Sequence, residues 1–233
     1  GTATVNGVIA ANGQPGVFMT GGGAAGGTIY ISAGVFAGNA NGTLQANGGN
    51  AGYAYYGGGG GGGRLAVVGG TVSNPLPVRF STTAGASAYD VNDVEDPDRV
   101  YDPYQAWVPG WGTVYVADTN LLSNLPLNNQ FAGVVLRCGA RTNWSVAQWT
   151  LTNNSLRLTP DGFVLDVAGD LVVGANARLG GEGTIACGGS LTLTNGGRLS
   201  VYSGPTNAAG PDWGALVQVA NDLQIGENSW LQP

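Results

Sequence analysis

Three segments near the end of the chain, GDLVVGANARL (169–179), GSLTLTNGGRL (189–199) and NDLQIGENSWL (221–231), align without a gap. The first two begin twenty residues apart, and the longer step to the third is accounted for by SVYSGPTNAAGPDWG (200–214), which predicts a protruding loop. A unit of about twenty residues is too short to bury its own core, so its apolar face must be covered by the neighbouring copy. Residues 170–187 divide into DLVV, ARL and TIAC, separated by GAN and GGEG. Strands this short gain stability by pairing in parallel, each with its counterpart one unit later. The expected fold is all-β: a right-handed, three-sided parallel β-helix, or β-solenoid, with glycine-rich loop insertions. Leu171, Val173, Leu191, Leu193, Leu223 and Ile225 are the expected inward ladders, and Asn and Gly at the corners supply positive φ. No segment carries a helical period of 3.6.

The first third of the chain repeats at a longer step. VIAANG (8–13) matches LQANGG (44–49), and GGTIYI (26–31) matches GGRLAV (62–67). Each copy carries one insertion, QPGVFMTGGGAAGG in the first and GNAGYAYYGGGGGGG in the second; with it removed, the unit returns to about twenty residues. Seven consecutive glycines lose so much backbone freedom on folding that they stay disordered unless something outside the run holds them. The two insertions leave equivalent corners one coil apart. They are therefore expected to lie side by side, about 4.8 Å apart, exchanging N–H···O=C bonds. A phosphate-cradling loop is excluded, because its motif requires a lysine and the chain has none.

Of 233 residues 43 are glycine, without the three-residue period of collagen. The eight cations are all arginine, against fourteen acids, for a net charge of −6. So few cations argue against nucleic acid and membrane surfaces as partners. Histidine is absent, which removes serine–histidine chemistry and the usual zinc ligands. No apolar run is long enough for membrane insertion as a helix. Cys138 and Cys187 are separated by at least two coils, about 9.6 Å or more if stacked, which exceeds disulfide reach and predicts two buried free thiols. Asn41, Asn143 and Asn153 open Asn-X-Ser/Thr triplets, a pattern that also arises by chance.

Residues 74–130 do not fit the coil, which divides the chain into N-terminal coils (1–73), an irregular insertion with connecting strands (74–130) and C-terminal coils (131–233). The insertion gathers Tyr89, Tyr101, Tyr104, Trp107 and Trp111 beside Asp90, Asn92, Asp93, Glu95, Asp96 and Asp98. Three readings stand. One is a solvated acidic loop whose aromatics pack over the solenoid. Another is a Ca²⁺ site built from the clustered oxygens, although the EF-hand spacing is absent. The third is a carbohydrate-binding or carbohydrate-cleaving site, with the aromatics as sugar platforms.

The phrases GGTIYISAG, TLQANGGNAG, GGGGGGGRLAV, GTVYVAD and DLVVGANARLGGEGTI resemble the large glycine-rich parallel β-helix surface proteins of Gram-negative bacteria, such as autotransporter passengers and filamentous adhesins. The resemblance covers residues 1–73 and 112–233. It implies an extracellular or cell-surface location and a structural or adhesive role, and it carries no catalytic residue and no required cofactor. Neither end of the sequence contains a recognisable polar cap, so the expected partners are further coils, either of a longer chain or of a second copy stacked head to tail, and extracellular glycans.

Overall fold

A computed structural model describes residues 1–17, 21–52, 57–72, 78–87, 110–117, 122, 124–139, 143–159, 163–201 and 215–232. Among these there is no helix, and so none long and apolar enough to cross a membrane. The described strands, β1 to β21 in chain order, form four sheets in which every described pairing is parallel.

One sheet runs the length of the protein. Its nine strands stack in the order β1 (Thr2–Val5), β3 (Thr28–Gly38), β5 (Arg64–Val72), β7 (Gly112–Val116), β9 (Val134–Cys138), β12 (Ser155–Thr159), β15 (Arg178–Gly181), β18 (Arg198–Val201) and β21 (Trp230–Gln232). In the C-terminal half the chain leaves this long sheet and visits two others in a fixed cycle before returning. The third sheet holds β10 (Asn143–Val146), β13 (Val164–Val167), β16 (Thr184–Cys187) and β19 (Leu216–Val219); the fourth holds β11 (Trp149–Leu151), β14 (Leu171–Val173), β17 (Leu191–Leu193) and β20 (Leu223–Ile225). Three strands per coil and a register of Leu171 on Leu191 on Leu223 reproduce the gapless alignment of the repeats.

Leu171, Val173, Leu191 and Leu193 are fully buried, as expected of inward ladders. Leu223 and Ile225 lie in the same ladders but are 48% and 50% exposed, because no described coil covers them. The corner into the long sheet is made by residues with positive φ at Asn153, Asn176, Gly196 and Asn228. Asn tolerates this conformation through its short polar side chain, and Gly through its missing Cβ. Cys138 and Cys187 are both buried, lie in different sheets and are not joined by a disulfide.

The N-terminal half departs from three strands per coil. Here the long sheet alternates with the second sheet alone, β2 (Val8–Ala10), β4 (Thr43–Gln45), β6 (Arg79–Ser81) and β8 (Phe131–Ala132). In the first two coils, and at the start of the third, the described backbone between the second sheet and the return to the long sheet is glycine-rich and forms no β-ladder. Residues 11–17 run out from β2 and 21–27 return to β3; residues 46–52 and 57–63 repeat the excursion one coil later, and 82–87 begin a third.

These segments are hydrogen-bonded on several sides. Outgoing segments bond to one another through Gly13 N to Asn47 O (2.7 Å) and Gly16 N to Asn50 O (2.8 Å), then Gly48 N to Thr83 O and Ala51 N to Ala86 O (2.8 Å each). Returning segments do the same through Gly23 N to Gly58 O and Gly26 N to Gly61 O (2.9 Å each). Within a coil the two directions are joined by Gly60 N to Gly49 O (2.8 Å) and Gly63 N to Ala46 O (2.7 Å), and between coils by Gly49 N to Ala24 O and Gly85 N to Gly60 O (2.8 Å each). Successive bonds along a row step by three residues, the period of a polyproline II helix, which has no internal hydrogen bonds and so offers its donors to its neighbours. The expected exchange between glycine segments is present. It has a different geometry from a β-ladder.

Where the two halves meet, the enclosed space is filled by aromatic rings. Phe80 stacks on Phe131 (5.8 Å between centroids, 12° between planes), Phe131 meets the edges of Trp144 (6.0 Å) and Trp149 (6.5 Å), and the two tryptophans lie 5.0 Å apart. All four side chains are buried.

Candidate functional site

The acidic and aromatic insertion lies almost wholly outside the described residues: Tyr89, Tyr101, Tyr104 and Trp107 do, as do Asp90, Asn92, Asp93, Glu95, Asp96 and Asp98. Trp111 is described, half-buried beside the start of β7. Among the described residues no three acids or cysteines converge on a point that suits a metal ion.

A different constellation stands on the outer face of the long sheet. Side chains alternate along each strand, so Leu65, Leu136, Leu156, Leu158, Leu179 and Leu199 point inward and are buried. Arg64, Arg137, Arg157, Arg178 and Arg198, the alternating neighbours, point outward. Of the six described arginines only Arg79 lies elsewhere, in β6. None of the nine strands contains an aspartate or glutamate. The protein is acidic as a whole, yet this face is basic.

Register sets the pattern. Ser155, Arg178, Arg198 and Trp230 occupy one column on consecutive strands. Arg157 stands one outward position along its strand, in a column with Gly180 and Ser200, and Arg137 one further, beside Tyr115. Arg137, Arg157 and Arg178 therefore step diagonally across β9, β12 and β15, and Arg198 on β18 continues the column of Arg178, with Tyr115 at one end of the row and Trp230 at the other. Glu182, just beyond β15, forms an ion pair with Arg157, and the Arg198 guanidinium sits 4.5 Å from the centre of the Trp230 ring.

Below Arg178 and Arg198, at the corner, an open groove of about 440 Å³ is lined by Ser155, Asn176, Arg178, Arg198, Asn228 and Trp230, among others. Its floor exists because Asn176, Gly196 and Asn228 all take the positive φ that turns the chain into the long sheet. Asn176 donates from Nδ2 to Asn153 Oδ1 (3.2 Å), so one of the corner amides is tied to the next coil.

Nothing in the comparisons assigns a family. No protein-family model matches the chain, and neither curated proteins nor solved structures give a significant match. The likeness to solenoid adhesins therefore rests on the repeat phrases alone.

The arginine face was not foreseen from composition, which suggested too few cations for any anionic partner. A signal was nevertheless present, since Arg137, Arg157, Arg178 and Arg198 follow one another at steps of 20, 21 and 20 residues. That is the period of the coil.

Proposed function

We propose that this chain is a segment of an extracellular or cell-surface structural and adhesive protein, built as a right-handed three-sided β-solenoid and continued at its ends by further coils. Right-handedness follows from the strong preference of parallel crossover connections for that hand, about 98% of cases. One observation carries the structural role: the in-register ladders run to both ends of the described protein with apolar rungs uncovered, Ile9 at one end and Leu223, Ile225 and Leu231 at the other. Unpaired strand edges above apolar rungs are templates for another coil. A coil of the same polypeptide or of a second copy satisfies them equally well, and a non-closing stack gives a rod or a filament.

Static light scattering of the purified chain, followed by negative-stain electron microscopy, tests this. Association that rises with concentration, with rods of constant width, is expected. Replacing Leu223 and Ile225 by lysine should lower the association at least tenfold, because each rung would then bury an unpaired charge. Association that is equally strong in that variant would overturn the end-stacking reading.

A further inference from the structure

We infer that the outer face of the long sheet binds a linear acidic polysaccharide along the solenoid axis, with its acidic groups held by the row of Arg137, Arg157, Arg178 and Arg198. The inference supplies a ligand for the adhesive role proposed above. It stands on the charge pattern of one face and does not depend on whether coils stack end to end.

Arg178 and Arg198 lie directly opposite each other on adjacent strands, a like-charge pairing that destabilises a bare sheet. An anion placed over the pair converts that cost into two charge-assisted contacts, and the guanidinium fork suits the two oxygens of a carboxylate or sulfate. The groove beside them adds the amides of Asn176 and Asn228, which offer both donors and acceptors to sugar hydroxyls. Small side chains flank the track, at Gly180 and Ser200, so an extended chain can lie close to the sheet. Exposed rings stand along it at Tyr30, Tyr115 and Trp230, and flat apolar ring faces are what pyranose rings stack on. Of the acids described in this half, Glu182 is paired with Arg157 on the track, so an anion must share or displace that contact; Asp166 is in β13, Asp170 and Asp222 precede β14 and β20, and Glu227 lies in the corner after β20, next to Asn228 of the groove.

Charge density selects the polymer. One arginine per strand gives one cation per about 4.8 Å along the axis, whereas duplex DNA carries one negative charge per about 1.7 Å. A polysaccharide with at most one or two acidic groups per sugar ring, and ring faces between them, fits the spacing and the aromatics together. Carboxylate and sulfate share the recognising chemistry, so both are tested.

Affinity is measured by isothermal titration calorimetry of the intact chain against polygalacturonate, dextran sulfate, neutral dextran and duplex DNA at moderate salt. Binding is expected to polygalacturonate, to dextran sulfate, or to both, to weaken as salt rises, and to be absent for neutral dextran. The R178S/R198S variant should lose at least tenfold in affinity, and serine is compatible with this column because Ser155 already occupies it. A T192E/Q218E variant removes the same net charge on the outer faces of the fourth and third sheets, and it should bind as the parent does. Melting curves of both variants identify any loss of fold. The inference is overturned by no binding to either acidic polymer, by equal losses in the two variants, by binding to DNA as tight as to the acidic glycans, or by R178S/R198S that melts and binds like the parent. Light scattering of the same samples reports end stacking separately, so failure of the ligand and failure of the stacking are distinguishable.

Discussion

Glycine in this protein acts chiefly by what it lacks. Of the described glycines only Gly133 and Gly196 have positive φ, so the run 57–63 is not there for left-handed backbone. A Cβ on Gly60 would stand 1.9 Å from the Ala24 carbonyl oxygen, and one on Gly59 2.1 Å from that of Gly85. Gly58, by contrast, has no heavy atom within 4 Å of the same position, and Gly61 has its nearest at 3.8 Å. With three residues per turn, one position in three faces outward and the other two face neighbouring backbone. Gly60→Ala should therefore destabilise the fold by about 3 kcal/mol or more, because the Ala24–Ala25 backbone must move away. Gly58→Ala should be neutral or stabilising by about 0.4–1 kcal/mol, since alanine restricts the unfolded chain at no steric cost. Denaturant melts of the two variants check this, and equal destabilisation would contradict the packing.

At the scale of elements, the junction between halves is where the coil changes section, from two strands plus glycine segments to three strands. Gly133 turns the chain with φ 61° between β8 and β9, and the buried Thr82 donates from Oγ1 to its carbonyl (2.8 Å). Phe131 lies at the centre of the aromatic cluster and is fully buried. Phe131→Ala should cost about 3–5 kcal/mol through lost burial and an unfilled cavity. Trp149 belongs to the same cluster, yet its indole N–H is buried without a hydrogen-bond partner, which costs about 1–3 kcal/mol. Trp149→Phe removes that orphan donor along with some volume. Its net effect is expected to stay under about 1.5 kcal/mol, well below that of Phe131→Ala in the same unfolding assay.

The molecule as a whole combines two kinds of cohesion. Apolar ladders hold the C-terminal coils, whereas the glycine segments are held by backbone hydrogen bonds and hide little apolar surface. Unfolding should then release less heat capacity than the length implies. A chain of 233 ordinary residues gives about 2.8–3.5 kcal/mol/K. Calorimetry on this protein is expected to fall clearly below that range, and a value within it would mean that the glycine array conceals apolar surface after all. Charge is likewise divided by face, with the net −6 of the chain masking a sheet whose nine strands hold five arginines and no acid.

Repeat register was legible from residues alone. The segments ending in Leu179, Leu199 and Leu231 align without gaps, and a two-residue side-chain period then fixes which positions face inward. The corner asparagines were legible for the same reason, as was the need for glycine neighbours to hold one another. What sequence did not fix was the number of strands per coil in the N-terminal half, because a glycine segment satisfies its backbone through partners about 35 residues away rather than through any local pattern. It did not fix the arginine row either. Arginines recur every 20 or 21 residues, but Leu156 pairs with Val134 and Arg178 with Ser155, so the coils there are 22 and 23 residues long. The mismatch carries each arginine two positions across the sheet until the coil shortens to 20 and Arg178 meets Arg198 in one column. Coil length is set by how corners and core close around each turn, which is a property of the tertiary structure; the order of residues along the chain determines only what each coil has to place.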